Sequence, residues 1–221
     1  MELFTTWRTW DQARAAIAES GAAPGDLAVL DRAAAAARRW HGDQTRPTGA
    51  PYLEHLLEAV EVLVRGRGVT DASILAAALL HDVVEDTGAT ARDVEAEFGP
   101  WVAELVEWVT KPPALPSPGA DPRTPGASPG KAGGLGRQAK RAAKTAYLRR
   151  LRDAPREAIL VKLADRVSNV QTLDRMPPDF QRRYYAETCT YIIPLAELPT
   201  RGDPWFAEWY ATWRARFAHL R

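Results

Sequence analysis

Apolar positions along this chain recur at intervals of three and four, and strand-like alternation is scarce. The pattern predicts helices near residues 8–19, 26–41, 52–66, 70–82, 90–97, 100–109, 138–152, 156–174, 179–198 and 203–219. Alanine, leucine, arginine and glutamate dominate these stretches, and all four are good helix formers. "GAAPGD" separates the first two helices and "DRMPPDF" two later ones, because proline cannot continue a helix interior. The expected fold class is all-α, a bundle of about ten helices, and no internal repeat is visible.

Three stretches depart from the amphipathic pattern. Between Pro112 and Gly136, 13 of 25 residues are proline or glycine, so residues 112–136 are expected to form a mobile loop inserted into the core helices. "RQAKRAAKTAYLRRLRDAPR" then carries eight basic residues and one acid. It reads either as a solvated helix face or as a contact for substrate phosphates. In the tail, residues 199–221, Trp205, Trp209, Trp213 and Phe217 form one helical stripe, a docking face for the body or for a second subunit of a homodimer.

Composition narrows the setting. The 221 residues suit one domain, with 46% hydrophobic residues to fill its core. The 29 basic and 28 acidic residues nearly cancel, which argues against a nucleic-acid binder. One cysteine, Cys189, excludes an internal disulfide and fits a reducing compartment. The first residues lack a basic flank followed by an apolar run, so no signal peptide is expected. No run approaches the roughly 18 apolar residues of a membrane helix. Together these readings predict a soluble cytoplasmic protein without membrane attachment.

The candidate chemistry sits in "HDVVEDT", residues 81–87, directly after the apolar run "ILAAALL". Imidazole and carboxylate side by side, as in His81 and Asp82, suit a first-row divalent metal. Glu85 follows His81 by four residues and Asp86 follows Asp82 by four, so each pair shares a helix face. Acidic groups at a helix C-terminus oppose the helix dipole, a conflict that a cation would relieve. Further ligands are sought in His41, at the end of "LDRAAAAARRWH", and Asp165, in "AILVKLADRVSNVQTL". In that second stretch Asp165, Asn169 and Thr172 make one polar stripe. The stripe faces either water or a site.

"RWHGDQTRPTGAPYLEHLLEAV", "ALLHDVVEDTGAT", "FGPWVAELVEWVTK", "LVKLADRVSNVQTL" and "ETCTYIIPLAEL" resemble, in order, the hydrolase domain of RelA/SpoT-type alarmone enzymes and stand-alone small alarmone hydrolases. The resemblance covers roughly residues 26–198 and implies an HD-domain helical bundle. An HD pair alone is common to a large phosphohydrolase superfamily, whereas HDxxEDT followed by KLADRxxN is far more specific. The resemblance implies a stringent-response activity, removal of the 3′-pyrophosphate of (p)ppGpp to give GDP or GTP. It implies metal ligation by His41, His81, Asp82 and Asp165, usually of Mn²⁺, with Fe²⁺ or Co²⁺ as alternatives. Glu85 and Asp86 match the acidic pair that activates water, Arg32 an arginine that stacks on guanine, and Asn169 and Thr172 nucleotide contacts. Lys140, Arg141 and Lys144 supply cations for a polyphosphate, with Lys131 in the inserted loop.

The chain departs from the family's pattern at Leu56, where proline is common, and at Ala33, where a basic residue is common. His55 is expected to be structural, hydrogen-bonded near the core. The synthetase domain of bifunctional relatives is not expected after residue 198. Two other readings remain open: an HD phosphohydrolase for another phosphorylated nucleotide such as NADPH, and a nucleotide-binding regulator or antitoxin paired with an alarmone-synthetase toxin.

Overall fold

The computed structural model describes residues 1–46, 49–112 and 129–221, except for the side chains of 129–137. Its described residues are helical and contain no strand, only an isolated bridge between Thr45 and Pro51. The helices are α1 (Trp10–Glu19), α2 (Pro24–His41), α3 (Tyr52–Glu61), α4 (Ala72–Leu80), α5 (Val83–Asp86), α6 (Ala91–Val109), α7 (Pro129–Arg150), α8 (Arg156–Val170), α9 (Pro178–Glu187), α10 (Ile193–Ala196) and α11 (Pro204–Arg216). Among the described residues, no helix is long and apolar enough to cross a membrane.

The fold is organised around α4. Its sequence, ASILAAALL, is apolar on every side, which suits a helix buried all round. Helices α2, α3, α6 and α8 pack against it. Asp71 caps its N-terminus by accepting from the backbone N–H groups of Ser73 and Ile74. Its C-terminus delivers His81 into the interior, where that histidine is almost wholly buried. The candidate chemistry is thus held at the end of the most enclosed helix.

Several expected helices are subdivided. The helix expected over 70–82 ends at Leu80, and Asp82 caps the separate turn α5 with φ −104° and ψ −4°. Helix α6 joins the helices expected over 90–97 and 100–109 across a kink at Gly99, whose φ of 83° favours glycine, with Pro100 following. The helix expected over 52–66 ends as a π turn from Val62 to Gly66. A side chain at Gly66 would come within 2.5 Å of the Trp205 ring, so glycine is required there for close packing. The helix expected over 156–174 stops at Val170, and a short 3₁₀ turn covers Leu173–Arg175. Helix α7 begins at Pro129, not 138, so residues 129–136 are helical where a loop was expected. The other expected loop positions, 113–128, lie outside the described residues.

The tail docks on the body. Trp209, Trp213 and Phe217 are buried together with Phe206 and Tyr210. The Trp213 indole donates to the Val170 carbonyl at 2.9 Å, and the Tyr210 hydroxyl to the Leu163 carbonyl at 2.8 Å. Buried Asp203 caps α11 and receives Arg67 at 2.5 Å and Arg156 at 2.9 Å. The aromatic stripe is therefore spent within the same chain, Trp213 on α8 and Trp205 and Trp209 on the N-terminal segment.

Candidate metal centre

Three histidines have their ring orientation fixed from behind. His81 Nδ1 lies 2.8 Å from the carbonyl oxygen of Ala78, which can only accept. His55 Nδ1 lies 2.9 Å from Ser168 Oγ, and the single hydrogen of that hydroxyl goes to Glu58 Oε2 at 2.6 Å. His41 Nδ1 lies 2.8 Å from Gln44 Oε1, while the Gln44 amide nitrogen donates to the Asp86 carbonyl at 2.8 Å. In each neutral ring Nδ1 therefore carries the hydrogen and Nε2 presents the lone pair, the form a metal ligand needs.

Two of those lone pairs converge with two carboxylates. His81 Nε2 is 3.1 Å from Asp82 Oδ2 and 3.5 Å from Asp165 Oδ1. His55 Nε2 is 3.4 Å from each of the same two oxygens. Ligand atoms of His55, His81 and Asp82 all lie within 4.8 Å of one another, close enough to share an ion. His81 Nε2 is buried without a hydrogen-bond partner. A buried polar atom left unpaired costs free energy, and the donor set of imidazoles and carboxylates fits a first-row divalent cation. These residues fit a metal.

His55, expected to be structural, is indeed buried and hydrogen-bonded, but its other nitrogen faces the centre. His41, expected as a ligand, lies outside the His55–His81–Asp82 group. Its ring stacks on Tyr52 at 4.5 Å between centroids, and its Nε2 is also buried and unpartnered. His41 ends α2, and His55 lies one turn into α3, which packs on both α4 and α8.

The charges at the centre support one another. Burial works against the charged form of Asp165, but Lys162 and the adjoining rings of His55 and His81 hold it well below the usual carboxylate range. Burial likewise opposes ionised Asp82, and the charge of His81 outweighs it. Burial disfavours a protonated His81, yet Asp82 and Asp165 raise it well above its ordinary value. In the metal-free protein a proton thus takes the place a cation would fill. Asn169 completes the set by donating to Asp165 Oδ1 at 2.6 Å.

Glu85 and Asp86 stand beside this group on α5. The Lys111 backbone N–H donates to Glu85 Oε2 at 3.1 Å, and its ammonium pairs with the same carboxylate. The Tyr52 hydroxyl lies 2.6 Å from Asp82 Oδ2 and 2.9 Å from Asp86 Oδ2. Burial, followed by the charges of Asp82 and Glu85, raises the Asp86 carboxyl despite the Tyr52 hydrogen bond.

A cavity of about 550 Å³ opens over the centre. Its charged lining comprises Arg46, Lys111, Lys144, Lys162 and Arg166 against Asp82, Glu85, Asp86, Asp165 and Glu187. Five cations and five acids balance, so a bound dication would leave the cavity positive by two. Met176, Pro177, Phe180 and Tyr184 form an apolar end, where the rings of Phe180 and Tyr184 stack at 4.2 Å. A neighbouring cavity of about 780 Å³ shares Glu85, Asp86, Lys111 and Lys144 and adds Lys140 and Arg141.

Of the residues expected at the site, His81, Asp82, Glu85, Asp86, Asp165 and Asn169 come together, and Lys144 lines the cavity. Lys140 lines only the neighbouring one. Arg32 and Thr172 line neither. The Arg32 guanidinium turns back to its own helix, 3.4 Å from the Ala28 carbonyl, and Thr172 falls in the turn after α8 has ended. The side chain of Lys131 lies outside the described residues.

A match to the HD domain family spans residues 33–197. The chain belongs to the HD domain family. Among curated proteins it is 37% identical over 170 residues to the bifunctional (p)ppGpp synthase/hydrolase SpoT of Escherichia coli K12, which covers 76% of this chain and 21% of SpoT. It is 36% identical over 172 residues to the GTP pyrophosphokinase rsh of Brucella ovis, covering 76% of this chain and 20% of that protein. The chain thus spans about a fifth of the length of these curated relatives. Among solved structures it resembles a metazoan ortholog of SpoT that hydrolyzes ppGpp, with a TM-score of 0.66 and 26% identity. That likeness covers 86% of this chain and 96% of the other. A solved protein of Listeria monocytogenes EGD-e, 23% identical with a TM-score of 0.52, shares the fold.

The HD domain also contains site residues that the sequence reading missed. Tyr52 precedes His55 by three residues and Lys162 precedes Asp165 by three, so each shares a helix face with a centre residue. That spacing was the available signal for both. Arg46, Phe180 and Tyr184 offered none, since tertiary packing alone brings them to the cavity.

Proposed function

We propose that this HD domain removes the 3′-pyrophosphate of guanosine alarmones, (p)ppGpp, with a divalent metal held by His41, His81, Asp82 and Asp165. The observation that carries this reading is the pair of buried, unpartnered ring nitrogens, His41 Nε2 and His81 Nε2, with Asp82 and Asp165 close to His81 beneath a cavity walled by Glu85 and Asp86. The names of the E. coli relative and of the metazoan structure support the substrate. Mn²⁺ is the ion proposed, because the donor set lacks the thiolates of a structural zinc site.

The metal supplies a bound water of lowered pKa and positive charge against a phosphoryl oxygen. The chain's own residues do the rest. Asp86, with its carboxyl raised, is suited to accept the proton of the attacking water. Glu85, tied to Lys111, aims that water. Tyr52 keeps Asp82 and Asp86 in register through one hydroxyl. Lys144 and Arg166 offer cations to the phosphates, and the Phe180–Tyr184 wall offers a stacking face to the base.

The test is incubation of Mn²⁺-loaded protein with ppGpp, pppGpp and NADPH, with phosphate and pyrophosphate separated. Pyrophosphate with GDP or GTP is the expected outcome. Release of phosphate from NADPH alone would transfer the activity to another phosphorylated nucleotide.

A further inference from the structure

The loop after α2 holds one side chain between His41 and the turn that carries Asp86. The chain folds back directly after His41. The Gln44 backbone N–H donates to the His41 carbonyl at 3.0 Å, and the Gln44 carbonyl receives the Tyr52 N–H at 2.9 Å. Gln44 is thereby fixed between the end of α2 and the start of α3. Its side chain then reaches two ways. Oε1 lies 2.8 Å from His41 Nδ1, and the amide nitrogen lies 2.8 Å from the Asp86 carbonyl oxygen. Asp86 is the last residue of α5, and a carbonyl at that position has no acceptor role within its own helix.

A carbonyl oxygen can only accept, so the amide nitrogen of Gln44 must face Asp86 and the amide oxygen is left for the ring. That oxygen also can only accept. The hydrogen of His41 is then confined to Nδ1, and Nε2 keeps its lone pair, buried and without a partner. The Tyr52 ring, stacked on the His41 ring at 4.5 Å between centroids, holds the plane of the imidazole. The Tyr52 hydroxyl in turn lies 2.9 Å from Asp86 Oδ2. Only one orientation of the Gln44 amide satisfies both of its partners, and in that orientation it joins them.

We propose that Gln44 is a positioning residue that couples the metal ligand His41 to the turn bearing the base Asp86. The oxygen of one amide aims the ligand, and its nitrogen holds the turn in place. The proposal rests on the reading of His41 as a metal ligand and of Asp86 as the base. Partners of this kind fix the tautomer of a ligating histidine, and their loss typically weakens metal binding by about 10–100-fold. Misplacing a reacting group by about 1 Å can cost about 10²-fold in rate.

Two variants separate the two roles. Gln44→Glu keeps an acceptor for the ring and loses the donor to the Asp86 carbonyl, whereas Gln44→Ala loses both. Gln44 is exposed, so neither substitution opens a cavity in the core. The experiment is a Mn²⁺ titration of the full chain, followed by the electron paramagnetic resonance signal of free Mn²⁺. Single-turnover hydrolysis of ppGpp at saturating Mn²⁺ and the thermal midpoint in chelator are measured on the same preparations. Gln44→Ala should weaken Mn²⁺ binding about 10–100-fold and slow turnover. Gln44→Glu should bind Mn²⁺ at least as tightly as wild type, yet slow turnover by up to about 10²-fold. Wild-type Mn²⁺ affinity in Gln44→Ala would overturn the proposal, as would equal weakening in both variants. Wild-type turnover in Gln44→Glu would overturn the coupling to Asp86. A lowered midpoint with affinity and turnover unchanged marks a purely structural role and overturns both. If Gln44→Ala does not fold, Gln44→Glu decides: weakened Mn²⁺ binding or wild-type turnover in that variant overturns the proposal. Failure of wild type to bind Mn²⁺ would instead remove the metal reading itself, and the proposal with it. Wild type that binds Mn²⁺ without hydrolysing ppGpp would remove the substrate reading alone, and the Mn²⁺ affinities would still decide for or against Gln44.

Discussion

Lys162 Nζ lies 2.8 Å from Asp165 Oδ2, one helical turn away, while Asp165 Oδ1 faces His55 and His81. The two oxygens of one carboxylate are thus divided between a fixed cation and the centre. Burial opposes the charge of Lys162, but Asp165 more than offsets this and raises its pKa. Removing the lysine would leave a buried carboxylate short of its partner. Breaking a buried pair from one side costs about 3–5 kcal/mol. Lys162→Met should lose stability of that order in chelator and recover part of it with Mn²⁺. Urea unfolding with and without metal measures both. Wild-type stability of Lys162→Met in chelator would show that Asp165 does not depend on this pair.

Glu85→Gln and Asp86→Asn should keep the fold and the metal, because neither carboxylate belongs to the His55–His81–Asp82 group. Both should lose turnover, Asp86→Asn more, as an amide cannot take the proton of water. Loss of a general base costs about 10²–10⁴-fold in rate. Single-turnover hydrolysis and metal content, measured on the same preparations, separate this from metal loss. Turnover of Asp86→Asn at the wild-type rate would exclude it as the base.

Arg32→Ala should leave the KM for ppGpp unchanged, since its guanidinium bonds its own helix outside the cavity. Phe180→Ala should raise KM, because base stacking on an aromatic ring is worth about 1–3 kcal/mol. The reverse pattern would put the base elsewhere.

The metal-free protein should be most stable in mild acid. His81 has a folded pKa well above 6.5, so its stabilisation is complete below that value and fades as pH rises through the folded pKa. Asp82 has a folded pKa well below 3.8, so its contribution is complete above that value and is lost on acidification through the folded pKa. The thermal midpoint in chelator should therefore fall as pH rises above about 6.5, and saturating Mn²⁺ should remove the alkaline loss. A flat alkaline midpoint in chelator would mean that His81 does not carry the missing charge.

The helical nature of the chain and the cluster at residues 81–86 were legible because both are local. A continuous apolar run identified α4, and four ionisable residues in six positions after it marked the centre. The approach of His55 to Asp82 and Asp165 was not legible, because tertiary packing of α3 on α4 and α8 alone brings them together. The direction of Arg32 was not legible, because only the rotation of α2 decides whether a guanidinium reaches the cavity or folds back on Ala28. The break at Asp82 was hidden for another reason: no proline or glycine announces it, and the buried pairs with His55 and His81 select that conformation.

The residues around the centre come from α3, the α4–α5 junction and α8, which are far apart in sequence. No single helix supplies enough of them to hold an ion. A cation there can distinguish the packed chain from an expanded one that has kept its helices. Binding and packing are therefore linked by mass action, and the link runs both ways. A substitution at Trp213, whose indole is bonded to the last residue of α8, would lower apparent metal affinity without touching a ligand, to the extent that it populates the expanded chain. Metal occupancy would thus report on the integrity of the whole bundle.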